Sequence, residues 1–308
     1  MRPFLLILLT CFTILIVCSC DDASTNVFFR GDFIKEQTLS LINNSHYTLD
    51  ICVYSISDEV IVNTIEKKAQ EGVRVRICTD NAYPLNIDKV SIVYDSGGLM
   101  HNKYMISDER LVWFGSTNLT PTSLEDHENN IIISDDINLI QTFQNHFNQC
   151  FSGLFKTERT GAGSPVLKFS PEEDCFDFLL NELSKAQKTV YIAMFAFSDN
   201  RIAHYLKVLS SKGVKIHILA DKDWNLSSIY SDIDDMARYS SVRMDVSEAL
   251  LHEKFIVIDE RVLLTGSYNY TASAQTRNDE FLYKSKARTL VKRFTDHFLN
   301  LWEASDPK

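Results

Sequence analysis

Apolar and polar positions along this 308-residue chain fall into two rhythms that recur in one order, twice. The run YTLDICVYS, from Tyr47, reads as a buried strand. Ser57 and Asp58 then offer a helix N-cap, Ile61, Ile65 and Ala69 line one face of a helix from Val60 to Gln70, and Gly72 stops it. VRVRICTD, ending at Asp80, is the next strand, and Glu36 to Asn43 looks helical ahead of the unit. The order returns as VYIAMFAFS, Ser198 and Asp199, a helix to Lys212, Gly213 and VKIHILAD. Ile51 to Asp80 aligns with Ile192 to Asp221 without a gap at a constant offset of 141 residues, so the repeat is a whole half. Each half continues into a hairpin and closes with a helix, around 138–150 and 287–302.

Strands alternating with helices predict an α/β fold. We expect two homologous α-β-α sandwich halves, residues 27–151 and 166–305, with mixed, largely parallel sheets packed about a pseudo-two-fold axis. Between them SGLFKTERTGAGSP, residues 152–165, carries Gly153, Gly161, Gly163 and Pro165 with little apolar periodicity. That reads as a surface linker that lets the halves face one another.

The hairpins hold the chemistry. Residues His101 to Asn118 read HNKYMISDERLVWFGSTN, and His252 to Asn269 read HEKFIVIDERVLLTGSYN. In a strand, positions two apart share a face, so His101 lies with Lys103 and His252 with Lys254. GSTN and GSYN place Ser116, Asn118, Ser267 and Asn269 where a strand ends, a cradle for an oxyanion. Two imidazoles, two ammonium groups and two amides converging on one point match a phosphodiester: one His attacks, the other protonates the leaving oxygen, and the rest hold non-bridging oxygens. Asp108 and Asp259 fall at the hairpin turns, where bonding to nearby backbone is the expected role. Glu128 in DHENN and Glu280 in RNDEF follow in similar surroundings, with one extra residue counted in the second half. Each is a candidate to fix the tautomer of an imidazole and raise its basicity. No second His or Cys sits at zinc-ligand spacing, and no metal and no cofactor are expected. His46, His127, His146, His204, His217 and His297 lack such context and read as surface or packing residues.

The paired motifs resemble the HKD motifs of the phospholipase D superfamily, over nearly all the chain after its first twenty-five residues. The resemblance implies the phospholipase D/nuclease fold, with His101, Lys103, Asp108, His252, Lys254 and Asp259 as the catalytic motif residues. It further implies that Glu128 and Glu280 each serve the histidine of the opposite half, and it favours His101 as nucleophile. Because the superfamily includes phospholipid synthases and nucleases as well as lipases, the reaction class is implied more firmly than the substrate. A phospholipid headgroup esterase acting through a phosphohistidine is the leading expectation. An extracytoplasmic endonuclease and a phosphatidyltransferase are the enzymatic alternatives. A phosphate- or lipid-binding protein without turnover is the alternative from another class, and it would have no use for two proton-transfer groups.

Charge and targeting narrow the partners. A formal net charge of −10 argues against tight, sequence-blind binding to nucleic acid and favours a lipid or small phosphodiester, with nucleic acid still open as a substrate. Residues 1–20 hold one cation and an apolar run from Phe4 to Val17, and Val17-Cys18-Ser19-Cys20 resembles a bacterial lipobox. Cys20 would then be lipidated, and a cleaved signal or an uncleaved anchor are the other readings. All three export the catalytic part, as a monomer with an internal pseudo-dimer, to a membrane surface or beyond it. Cys52 and Cys78 sit in core-like runs, whereas Cys150 and Cys175 flank the linker and could pair in an oxidising compartment. The stretch from Asp80 to His101 leaves 20 residues and that from Asp221 to His252 leaves 30; the longer one holds Trp224 and Tyr230 near the expected mouth.

Overall fold

The computed structural model describes residues 24–95, 97–154 and 159–308, so the leader with Cys20 lies outside it. Each half is built on one sheet. The first has seven strands in the order Thr25–Phe29, Asn130–Ser134, Leu111–Gly115, Lys103–Ser107, Thr48–Val53, Arg74–Asp80, Ser91–Asp95. The second runs Asp306–Pro307, Ser241–Met244, Lys215–Ala220, Thr189–Met194, Lys254–Ile258, Val262–Gly266, Glu280–Ser285, Leu167–Ser170. Both sheets are mixed, but the expectation that they are largely parallel is corrected. Parallel ladders join only the strands linked by the β-α-β crossover and the one after it. The motif hairpin, the strand beyond it and the edge strands Thr25–Phe29, Leu167–Ser170 and Asp306–Pro307 pair antiparallel, whereas the edge strand Ser91–Asp95 pairs parallel.

Alternation along the strands sorts the core into layers. In the first half Ile51, Met105, Trp113 and Ile131 face outward onto helices Ile34–Asn43 and Glu59–Gln70. Their neighbours Cys52, Tyr104, Phe114 and Ile132 face the other way. That inner face meets Phe143 and Phe147 of helix Ile137–Phe151, Phe294 and Phe298 of helix Arg288–Glu303, and Phe169, Phe255 and Phe281 of the second half. The interface between the halves is therefore a hydrophobic core in its own right. Helix Glu59–Gln70 begins where the Asp58 carboxylate accepts the N–H groups of Val60 and Ile61 at 3.0 Å. It stops at Gly72, whose φ of 96° a side chain would resist.

Two expectations need amending. All four cysteines among the described residues are free and buried, with Cys150 in the shared core and Cys175 in the outer core of the second half. The linker, for its part, is not wholly a surface segment. Arg159 is 6% exposed and donates to Asp279 at 2.9 and 3.1 Å, with His146 and Glu172 beside it. An ion pair buried at one residue leaves no periodic trace in a sequence.

The motif hairpins turn through left-handed residues, Asp108 and Glu109 at φ 52° and 55°, Asp259 and Glu260 at 52° and 53°. Asp tolerates this region better than most residues. The Asp108 carboxylate accepts the N–H groups of His46, Tyr47 and Thr48 at 2.8, 2.7 and 2.8 Å, tying the turn to the start of the central strand. Asp259 does the same for Gln187, Lys188 and Thr189 at 2.8, 2.7 and 2.9 Å. Burial opposes ionisation of Asp108, yet these three donors hold its carboxyl below the usual range. Its contribution is therefore present above ordinary carboxylate pH and lost as pH falls through it. Asp108→Ala should lower stability by about 1–3 kcal/mol, since three N–H groups lose a charged acceptor. Urea unfolding at pH 7 measures it, and an unchanged midpoint would refute the role.

Candidate active site

Each catalytic candidate opens a strand and is gripped by the opposite half. Met100 and His101 run beside Asp279 as a short parallel bridge, in which the His101 N–H donates to the Asp279 carbonyl at 2.9 Å and the Asp279 N–H to the Leu99 carbonyl at 2.8 Å. The mirror arrangement joins His252 N–H to the Glu128 carbonyl and Glu128 N–H to the Leu250 carbonyl, both at 2.9 Å. The next residue on each crossing segment reaches the ring. Glu280 Oε2 lies 2.7 Å from His101 Nδ1, and Asn129 Oδ1 lies 2.9 Å from His252 Nδ1. With Nδ1 engaged, Nε2 is the nitrogen left for chemistry on both rings.

The lysines sit beneath the histidines. Lys103 and Lys254 are 0% and 1% exposed, and each Nζ donates back to the carbonyl of its own histidine, at 2.8 and 2.6 Å. Lys103 Nζ lies 5.6 Å from the Tyr54 ring and Lys254 Nζ 5.2 Å from the Phe195 ring, so aromatic faces supply part of what water would. Tyr54 also packs on His101, and Phe195 on His252. Tyr83 and Trp224 extend this aromatic wall outward on either side.

The strand ends after Gly115 and Gly266 complete the site. A Cβ there would lie 2.2 Å from the Asn130 carbonyl oxygen or 2.3 Å from that of Phe281, so only glycine lets the crossing segment lie this close. Ser116 Oγ donates to Asn129 Oδ1 at 2.8 Å and accepts from Asn130 N–H at 3.0 Å; Ser267 Oγ accepts from Phe281 N–H at 3.0 Å. Both serines thus hold the crossing segment. Among the described residues, Asn118 and Asn269 each keep a buried amide oxygen, an acceptor, without a hydrogen-bond partner.

The expectation for Glu128 is corrected. Its carboxylate pairs with Arg30 Nη1 at 2.7 Å, and the ring of His252 is met by Asn129 instead. The spacing to Glu128 and to Glu280 differs by one residue because the two glutamates are not counterparts. Strand register matches Gly115 with Ile131 and Gly266 with Leu282, which makes Asn129 the counterpart of Glu280 and Glu128 the counterpart of Asp279. Laying DHENN over RNDEF at the motif's own offset would have shown this. Asn129, Phe195 and Tyr54 are site residues that pattern alone did not single out.

Electrostatics set the resting state. Burial pulls the Lys103 ammonium down to about 7, and burial followed by the charge of Lys103 pulls Lys254 well below its usual value. Burial lowers His101, with Glu280 opposing. His252 falls further, through burial and then the Lys254 and Lys103 charges, with no carboxylate among the leading influences on it. Burial and mutual repulsion thus favour the neutral forms of all four basic groups.

A duplicated α/β fold whose halves complete one another's His-x-Lys cluster defines a protein with one composite site built around two histidines and two lysines. The chain belongs to the phospholipase D-like family: the family model described as cardiolipin synthase, PLD-like domain, matches residues 38–151 and 179–302. It is 32% identical over 133 residues to a phospholipase D of Rickettsia conorii, covering 43% of this chain and 66% of that protein. To the mitochondrial cardiolipin hydrolase of Xenopus tropicalis it is 34% identical over 136 residues, 44% of this chain and 64% of the relative. The chain thus spans about two thirds of these relatives, and the aligned stretch is under half of the chain itself. The solved phosphatidylserine synthase of Haemophilus influenzae superposes with a TM-score of 0.73 at 14% identity, over 92% of this chain and 87% of that one. The polyphosphate kinase of Porphyromonas gingivalis gives 0.70 at 14% identity, over 89% and 46%. These two likenesses are of fold.

The buried lysine yields a signed prediction. Unfolded Lys103 keeps its proton up to about 10.5, whereas the folded residue gives it up at about 7, so stability should rise with pH between those values. Lys103→Met should therefore be more stable than the parent at pH 7, by something on the order of 1–4 kcal/mol, and should flatten this rise. Denaturant midpoints at pH 7 and 9 check it; a variant less stable than the parent would count against a desolvated ammonium.

Proposed function

We propose that this protein is a metal-independent phosphodiesterase of the phospholipase D type that hydrolyses a phospholipid headgroup ester through a covalent phosphohistidine. The observation that carries the reading is the pair of imidazoles from opposite halves, each with Nδ1 held and Nε2 available. One Nε2 attacks phosphorus while the other donates a proton to the departing oxygen, and the second ring then takes a proton from water as the phosphoramidate is hydrolysed. Lys103, Lys254, Asn118 and Asn269 hold the non-bridging oxygens, and the anion brought by the substrate restores the protons that burial had removed. Ser116, Ser267, Asp108 and Asp259 maintain the geometry.

The lipid reading has its own support. The relatives named above are a phospholipase D and a cardiolipin hydrolase, and the chain is acidic. Beyond Asp221 the longer insertion of the second half exposes Leu226, Ile229 and Tyr230 at 59%, 89% and 75%. This apolar tip is tied to the site, because Asn225 Nδ2 donates to the carbonyl of Phe195 at 2.9 Å and Phe195 packs on His252. Such side chains favour the interface of a bilayer over water. Export and tethering through Cys20 belong to the same reading.

Incubation of the protein lacking residues 1–20 with labelled phosphatidylcholine, cardiolipin and single-stranded DNA in EDTA tests it. Phosphatidic acid should appear; strand scission without it would transfer the same chemistry to a nuclease. Ile229→Asp with Tyr230→Asp should slow hydrolysis of vesicle lipid roughly tenfold, since two interfacial side chains are worth on the order of 1–3 kcal/mol. Short-chain monomeric lipid should be cleaved as before, and equal losses on both would refute the membrane role of the tip.

A further inference from the structure

The two histidines do not have equivalent partners, and the difference is one unit of charge. Glu280 faces His101 with a carboxylate that also accepts from Asn278 Nδ2 at 3.1 Å. Asn129 faces His252 with an amide whose orientation its neighbours fix. Asn129 Nδ2 donates to the carbonyl and the hydroxyl of Ser123 at 3.0 and 3.1 Å, while Oδ1 accepts from Ser116 Oγ at 2.8 Å. The atom turned to His252 is therefore the oxygen, an acceptor, and His252 Nδ1 must carry the hydrogen. Both rings hold the same tautomer, but only one has an anion behind it.

Resting on the phosphodiesterase reading above, we propose that Asn129 is a positioning residue whose neutral amide makes the histidines unequal, committing His252 to proton transfer and His101 to nucleophilic attack. An imidazole that bonds phosphorus through Nε2 while keeping its Nδ1 hydrogen becomes cationic. Glu280 stabilises that cation 2.7 Å away, and no group of that kind is bonded to His252. A ring leaning on an amide is the weaker base and the stronger acid, which suits the donor to a departing alkoxide. In the first step the lone pair on His101 Nε2 forms the P–N bond, the P–O bond breaks, and the leaving oxygen takes the proton from His252 Nε2. In the second, a water proton passes to His252 Nε2, its oxygen bonds phosphorus, and the P–N electron pair returns to His101. The net change is hydrolysis of one ester with no other co-reactant.

The test uses ³²P-labelled bis(p-nitrophenyl) phosphate, whose leaving group departs without a proton. His252→Asn should complete the first step and stall at the second, releasing one equivalent of p-nitrophenolate per protein in a burst, with label on the peptide containing residue 101. His101→Asn should give no burst. Peptide mapping of the unsubstituted protein quenched during turnover provides the same assignment without relying on either variant folding. Asn129→Asp should move the limb of the pH–kcat profile due to His252 upward by about one unit, because an anion now backs that ring, whereas Asn129→Ala should lower kcat without that upward movement. Label on residue 252, a burst from His101→Asn, or an unmoved limb in Asn129→Asp would overturn the assignment alone. Absence of any phosphorylated histidine from a protein that turns over would overturn the phosphohistidine reading with it.

Discussion

Everything in this molecule depends on a crossed grip: the segment Glu128-Asn129 of one half holds the backbone and ring of His252, and Asp279-Glu280 of the other holds His101. Neither histidine is oriented by its own half. The four backbone hydrogen bonds of this exchange lie at the top of a shared core packed with Phe143, Phe169, Phe281 and Phe294, so burial that stabilises the interface also fixes the relative position of the two rings. Stability and site geometry are here one property. A movement of one half against the other sufficient to open the core would separate the imidazoles from their partners.

That arrangement has an electrostatic cost, and the fold shows where it is offset. Two lysines with almost no solvent contact are a liability in any core. They are placed against their own histidine carbonyls and against the rings of Tyr54 and Phe195, which soften the loss of water without neutralising the charge. Among the described residues, Glu280 is the one carboxylate hydrogen-bonded to the ring of His101 or His252. Carboxylates lie nearby, since Glu280, Glu253 and Asp221 all favour the charged form of Lys254, but burial and the Lys103 charge outweigh them.

Much of this could be read in the chain. The spacing of His101, Lys103, Asp108, Gly115 and Asn118 and its second copy marks the strands and turns that carry the site, because strand periodicity and turn chemistry are local properties. Strand direction is not local, which is why the β-α-β units suggested more parallel pairing than the hairpins and edges allow. Asn129 escaped for a different reason: matching glutamate to glutamate required an inserted residue, when the motif's own register already assigned Glu128 to Asp279 and Asn129 to Glu280. Arg159 is not legible in the sequence, because one buried cation in a stretch rich in glycine gives no periodic signal.

The unlike partners of the two rings bear on why both halves share one polypeptide. In a homodimer of half-length subunits, any substitution is copied by the symmetry operator, and both imidazoles would face an amide or both a carboxylate. Covalent fusion removes that constraint. Once the halves can differ singly, a symmetric pair of histidines can become one in which a carboxylate backs one ring and an amide the other.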